Sequence, residues 1–181
     1  DYEKVRGSVA INDMELTNTK WLEKLTQLEG LNLDGNQLTD VNGLEMLTKL
    51  HFLYLSNNKL NEVPKALEKL INLKDLALGF NKLTNLKGLE KLRQLNHLDL
   101  RGNQLTDMKG LEMLNQLTYL VLESNRLTEI PKEVKNLTKL NNLFLANNQL
   151  TEAPKSLEKL ANLTGLSLSH NKLTNLKGLE S

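Results

Sequence analysis

The chain has 181 residues, 25% of them charged, and a formal net charge of +1. Charges this balanced give no support for nucleic acid or an anionic membrane surface as the partner, since either wants a basic stripe. With 39% hydrophobic residues and no cysteine, there is neither an apolar run near the ~20 residues of a membrane span nor material for a disulfide framework.

In chain order the first unit is incomplete. Val9, Ala10 and Ile11 predict its strand, and Leu16-Thr17-Asn18-Thr19-Lys20-Trp21-Leu22-Glu23-Lys24-Leu25 parallels Leu83-Thr84-Asn85-Leu86-Lys87-Gly88-Leu89-Glu90-Lys91-Leu92. Residues 1–27 therefore read as a degenerate capping unit, atypical because one face meets water. Trp21 is expected to lie over that open end. From Leu28 onward, over residues 28–181, the spacing Leu-x-x-Leu-x-Leu-x-x-Asn-x-Leu recurs seven times. Its asparagines Asn36, Asn58, Asn81, Asn103, Asn125, Asn148 and Asn171 follow one another at 22 or 23 residues. A fixed period of this size means a solenoid, in which each unit buries its apolar face only against its neighbours.

Within each unit the x-Leu-x-Leu-x core, Phe52-Leu53-Tyr54-Leu55 for instance, predicts a short strand with its leucines inward and their neighbours outward. Strands of successive units must run parallel, joined by crossovers. The asparagines are expected to form a buried column whose amides satisfy backbone groups in the loops leaving the strands. The second half of a unit comes in two kinds. Units one, three, four and seven carry a Gly-Leu step, as in Leu105-Thr106-Asp107-Met108-Lys109-Gly110-Leu111. Units two, five and six carry a proline, as in Leu127-Thr128-Glu129-Ile130-Pro131-Lys132, and should be the more helical because proline suits the start of a helix. At the far end Leu173 to Glu180 repeats Leu83 to Glu90 without change. The last unit thus looks uncapped or cut from a longer protein, with an open edge available for self-association.

The sevenfold Leu-x-x-Leu-x-Leu-x-x-Asn-x-Leu resembles the leucine-rich repeat family. The Gly-Leu kind is similar to the 22-residue repeats of bacterial internalins, and the proline kind, Asn61-Glu62-Val63-Pro64-Lys65-Ala66-Leu67, to the 23-residue repeats of leptospiral proteins. The resemblance covers residues 9–181 and implies an α/β fold. That fold is a right-handed leucine-rich-repeat solenoid with a concave parallel β-sheet and short 3₁₀ or α turns on the convex side. It also implies a non-catalytic module that binds a protein or peptide on the concave face. Without cysteine the disulfide-capped extracellular animal proteins of the family are excluded. A bacterial chain, secreted, at the cell surface or cytoplasmic, is the expectation.

Functional residues must lie where the repeat leaves the residue type free. Outward positions fall two, four, six and seven residues after the first leucine of a unit. They hold Phe52, Tyr54, Phe80, Tyr119 and Phe144, five of the six Phe and Tyr residues. Between these stand Asp75, His97, Asp99, Arg101 and Glu123. Solvent-facing aromatics are the usual anchors of binding surfaces, and charges among them set register. These ten residues are the expected partner-binding set. His97, Asp99 and Asp75 could in principle supply metal ligands or an acid–base pair. A regular array generates such trios by chance, however, and no nucleophile–base arrangement or phosphate loop accompanies them. No catalytic residue, cofactor or metal is expected. A gently curved sheet also encloses little volume for a small molecule. Two other roles fit the same pattern: a spacer or self-assembling array, natural or engineered, and the targeting arm of a larger bacterial effector.

Overall fold

The leucine spacing is realised as a stack of short strands. A computed structural model describes residues 6–176 apart from residue 154. Pro154, the Gly178-Leu179 step and the end of the chain lie outside the described residues. The strands are β1 (Gly7–Ala10), β2 (Leu28–Asn32), β3 (Phe52–Tyr54), β4 (Asp75–Ala77), β5 (His97–Asp99), β6 (Tyr119–Val121), β7 (Asn142–Phe144) and β8 (Gly165–Ser167). They form one sheet in chain order, every neighbouring pair parallel. The first strand starts earlier than Val9, at Gly7. Ile11 extends its ladder by donating its N–H to the Asn32 carbonyl at 2.8 Å.

Register explains the core. Leu53, Leu76, Leu98, Leu120 and Leu143 align across β3 to β7, and all five are fully buried. Each contributes about 1.5–3 kcal/mol by leaving water. The unit-to-unit stack is therefore continuous, and no single strand could exist without its neighbours.

The asparagine column is buried from Asn36 to Asn148, as expected, while Asn171 at its end is partly exposed. Asn103 shows how it works. Its Nδ2 donates to the Leu100 and Arg101 carbonyls of its own unit and to the Leu78 carbonyl of the preceding one, while its Oδ1 accepts the Leu83 N–H. One side chain thus satisfies four backbone groups in two units, where a loop leaves the strand ladder.

On the outer side the described turns are all 3₁₀. Those of the proline kind run five residues (Lys65–Lys69, Lys132–Asn136, Lys155–Lys159), those of the glycine kind three (Leu44–Met46, Leu89–Lys91, Leu111–Met113). Pro64 and Pro131 sit just before the turn in extended backbone, and their carbonyls accept its first hydrogen bond, from Leu67 and Val134. In the glycine kind Gly43, Gly88 and Gly110 hold that place with φ near +100°. Each gives its N–H to the glutamate two residues on. Only glycine adopts such backbone without strain. In the first unit the turn Lys20–Lys24 buries Leu22 completely, whereas Trp21 remains about half exposed.

Candidate functional site

The outward rows of the sheet read directly from the strand register. Phe52, Asp75, His97, Tyr119 and Asn142 face one another in one row, and Tyr54, Ala77, Asp99, Val121 and Phe144 in the next. Nine of the ten expected residues therefore lie together on the strands and the residues that follow them. Phe80 belongs to a different feature. It was expected to point out of a strand, yet the residue seven after the first leucine is a left-handed corner. Gly35, Asn57, Phe80, Gly102, Ser124, Asn147 and His170 all have φ between 52° and 68°. A reversal is needed there to turn the chain from the ladder into the asparagine loop. Phe80, with φ +52°, stands in backbone that Gly and Asn favour and bulky side chains avoid. Its ring lies across Gly102, where a Cβ would collide with it, and 52% of the residue stays exposed.

Side-chain size buries the four strand aromatics further than alternation alone suggests. Phe52, Tyr54, Tyr119 and Phe144 are half-buried rather than fully solvated. Phe52 occupies the space above Gly30, which any side chain there would block, and packs on Tyr54 with ring centroids 6.1 Å apart. Across the sheet His97 meets Tyr119 edge-on at 5.5 Å, and Tyr119 meets Phe144 at 5.3 Å. Such ring pairs add roughly 0.5–1.5 kcal/mol each beyond their buried area. Two aromatic groups result, one from β3 and one from β5 to β7.

The gap between them is the smallest side chain of its row. Ala77 floors a hollow of about 330 Å³, lined also by Tyr54, Asp75, His97, Leu98, Asp99 and Tyr119. The sheet thus holds more volume than its gentle curvature suggests, at the low end of the range for ligand sites.

Its electrostatics follow from the carboxylates. Asp99 is engaged by Arg101, whose Nε donates to both of its oxygens at 3.0 and 2.8 Å and whose backbone N–H adds a third bond. This hydrogen bond, opposed by partial burial, holds the Arg101 pKa up, with further support from the charges of Asp99 and Glu123. Asp75 is less well satisfied. Tyr54 Oη donates to its Oδ2 at 3.4 Å, and His97 Nδ1 stands 3.9 Å from the same oxygen. Burial raises the Tyr54 pKa, as do the charge of Asp75, the hydrogen bond to it, and Asp34. Burial likewise pushes the Asp34 carboxyl up, against a hydrogen bond from the Ser56 N–H and with Asp13 and Asp99 adding to the rise. Among the described residues no group of three or more His, Cys, Asp or Glu side chains is arranged to hold a metal ion. Asp99, turned to Arg101, does not converge with Asp75 on His97. No described helix is long and apolar enough to cross a membrane.

Asp34 and Ala77 were not among the expected residues. Asp34 shares the column of Arg101 and Glu123, six residues after the first leucine, so its position was readable. Ala77 signals nothing by itself, since it matters only for the bulk it lacks between Tyr54 and Asp99.

Comparison with known families matches residues 48–105 and 115–173, more than half of the chain, to the family described as Leucine rich repeat. The chain belongs to the leucine-rich repeat family. Among solved structures an internalin of Listeria monocytogenes is 32% identical with a TM-score of 0.89, covering 95% of this chain and 50% of its own length. A leucine-rich-repeat protein of Leptospira interrogans is also 32% identical, with a TM-score of 0.88, covering 97% of this chain and 53% of its own. The chain therefore spans about half the length of these relatives. The leucine-rich-repeat ectodomain of the Arabidopsis thaliana receptor kinase GASSHO1/SCHENGEN3, solved in complex with Casparian strip integrity factor 2, is 33% identical with a TM-score of 0.75. It covers 88% of this chain and 20% of its own. No curated protein matches the chain. Leucine-rich repeats are in general protein-interaction modules and typically not enzymes.

Proposed function

We propose that this leucine-rich-repeat chain binds a protein or peptide on the concave face of its sheet. The two aromatic groups around the Ala77 hollow form the centre of the contact. The observation that carries the reading is the placement of Phe52, Tyr54, Tyr119 and Phe144. All four stand on the outward rows of the sheet, half-exposed, where a monomer gains least from them. Aromatic anchors of this kind supply most of the energy of protein interfaces. The charged residues Asp75, His97, Asp99, Arg101 and Glu123 surround them and set orientation rather than affinity, while Phe80 marks the lower rim. A related ectodomain occupied by a protein factor is in keeping with this use of the fold.

The test is differential capture. The immobilised chain is expected to retain a partner from lysate that Tyr54→Ala with Tyr119→Ala releases. The outer-side pair Glu68→Ala with Lys91→Ala, which breaks a 2.6 Å ion pair away from the sheet, should retain it. Equal capture by both double variants would place the interface elsewhere.

A further inference from the structure

The geometry points to the Ala77 hollow as a socket for one lysine side chain of the bound partner, its ammonium donating to Asp75 between the rings of Tyr54 and Tyr119. This inference rests on the concave face being the binding face and names the chemistry recognised there.

Three independent observations support it. The first is shape. Tyr54 and Asp99 flank Ala77 in register, so the short side chain opens a cavity of about 330 Å³ between larger walls. On either side of it the sheet is covered by rings: Phe52 lies over Gly30 and Tyr119 stands against Phe144. The hollow between them has room for an incoming side chain.

The second is charge. The outward columns carry Asp34, Asp75, Asp99 and Glu123 against the single cation Arg101, in a chain whose net charge is +1. The concave face is therefore anionic while the rest of the surface carries the positive excess, and a basic segment is the complementary occupant. Aromatic faces beside the carboxylates extend that preference, because ring quadrupoles attract cations.

The third is the state of the two carboxylates in the cavity wall. Asp99 is already taken up by Arg101, whose single Nε–H is shared between both of its oxygens at 3.0 and 2.8 Å and whose backbone N–H adds a third bond. Among the described residues Asp75 is engaged at Oδ2 only, at 3.4 Å to Tyr54 and 3.9 Å to His97. Its Oδ1 is left as a single acceptor. A compact ammonium on a flexible stem satisfies one acceptor, whereas a planar guanidinium prefers a pair. Lysine is thus favoured over arginine, and its methylene stem would lie on Ala77.

A displayed library of random twelve-residue peptides selected on the full chain provides the probe. Bound peptides are expected to be enriched in lysine. Affinity should fall about tenfold or more on Asp75→Asn, the loss of one charge-assisted hydrogen bond. It should fall similarly on Ala77→Leu, which fills the cavity and leaves every charge in place. Replacing the peptide lysine by norleucine should reproduce the loss on the wild-type chain and add little on Asp75→Asn. Peptides released by Tyr54→Ala with Tyr119→Ala but lacking lysine, or carrying arginine in its place, overturn the socket and leave the binding face standing. Peptides indifferent to every concave substitution, or no peptide retained at all, overturn both. Thermal melting of each variant separates lost binding from lost folding.

Discussion

At the residue scale the asparagines and the partly buried acids make opposite demands. Asn103 satisfies four backbone groups. The Leu78 and Leu100 carbonyls also accept from Asn81 and Asn125, and the Arg101 carbonyl from the Phe80 N–H, so of the four it is the Leu83 N–H that depends on Asn103. Without Asn103 that N–H would be buried without a partner, at about 1–3 kcal/mol. Asn103→Ala is therefore expected to lower the unfolding free energy in urea by about 1–3 kcal/mol. Asp34 is the reverse case. Burial holds its carboxyl above the ordinary 3.8, so the folded chain keeps the proton more readily than the unfolded one. The stabilisation from that proton is complete below 3.8 and is lost as pH rises through the higher folded value. At neutral pH the charged carboxylate is a burden, eased by the hydrogen bond from Ser56. Asp34→Asn keeps an acceptor for that N–H and removes the charge. It should raise stability near pH 7 by up to about 1 kcal/mol, limited by solvent screening at this half-exposed site, and the gain should vanish below pH ~3. Thermal melts at both pH values distinguish this from a gain that ignores pH.

At the element scale the corner after each strand is the most demanding piece of backbone. Seven units place Gly, Asn, Phe, Gly, Ser, Asn and His there, all left-handed. Phe80 is the outlier, because a bulky residue in this region gives up roughly 1–2 kcal/mol. Its ring recovers part of that by lying on Gly102. Phe80→Asn relieves the backbone and loses the ring contact, so the two terms nearly cancel. Unfolding free energy is expected to stay within about 1 kcal/mol of wild type, against about 3–5 kcal/mol for truncating a core Phe. Affinity for the partner captured by the wild-type chain should nevertheless drop by roughly tenfold, as for a modest interface anchor. A large loss of stability with unchanged affinity would make Phe80 a packing residue and remove it from the rim.

At the scale of the whole molecule the solenoid separates charge by face. The sheet side holds four carboxylates against one arginine, and a net charge of +1 requires the outer turns and loops to be basic on balance. Such a division steers a basic partner to one side of the array, and added salt screens it because the Debye length falls from ~10 Å at 0.1 M to ~3 Å at 1 M. The association rate with the captured partner should therefore fall severalfold between low and high salt, with the dissociation rate changing less. Stopped-flow or surface-binding kinetics over a salt series would show it, and a salt-independent association rate would deny the concave field any part in recognition.

Much of this was legible from spacing. The 22- or 23-residue period specified parallel strands, buried leucines, the asparagine column and the longer turns of the proline kind. Each of these depends only on contacts between a unit and its immediate neighbours. The outward columns were readable too, which is why Asp75, His97, Tyr119 and the other strand residues of the set lie on one sheet face. Spacing could not show which side chains turn towards each other, because that is decided by relative bulk and charge across the strands. Arg101 pairs with Asp99 and leaves Asp75 open, Phe52 covers Gly30, and Ala77 becomes a hollow because Tyr54 and Asp99 stand beside it. The corner that strains Phe80 was equally hidden, since a position counted along a strand carries no sign of φ. The repeat determined where each residue stands, and only the tertiary packing decided what it faces.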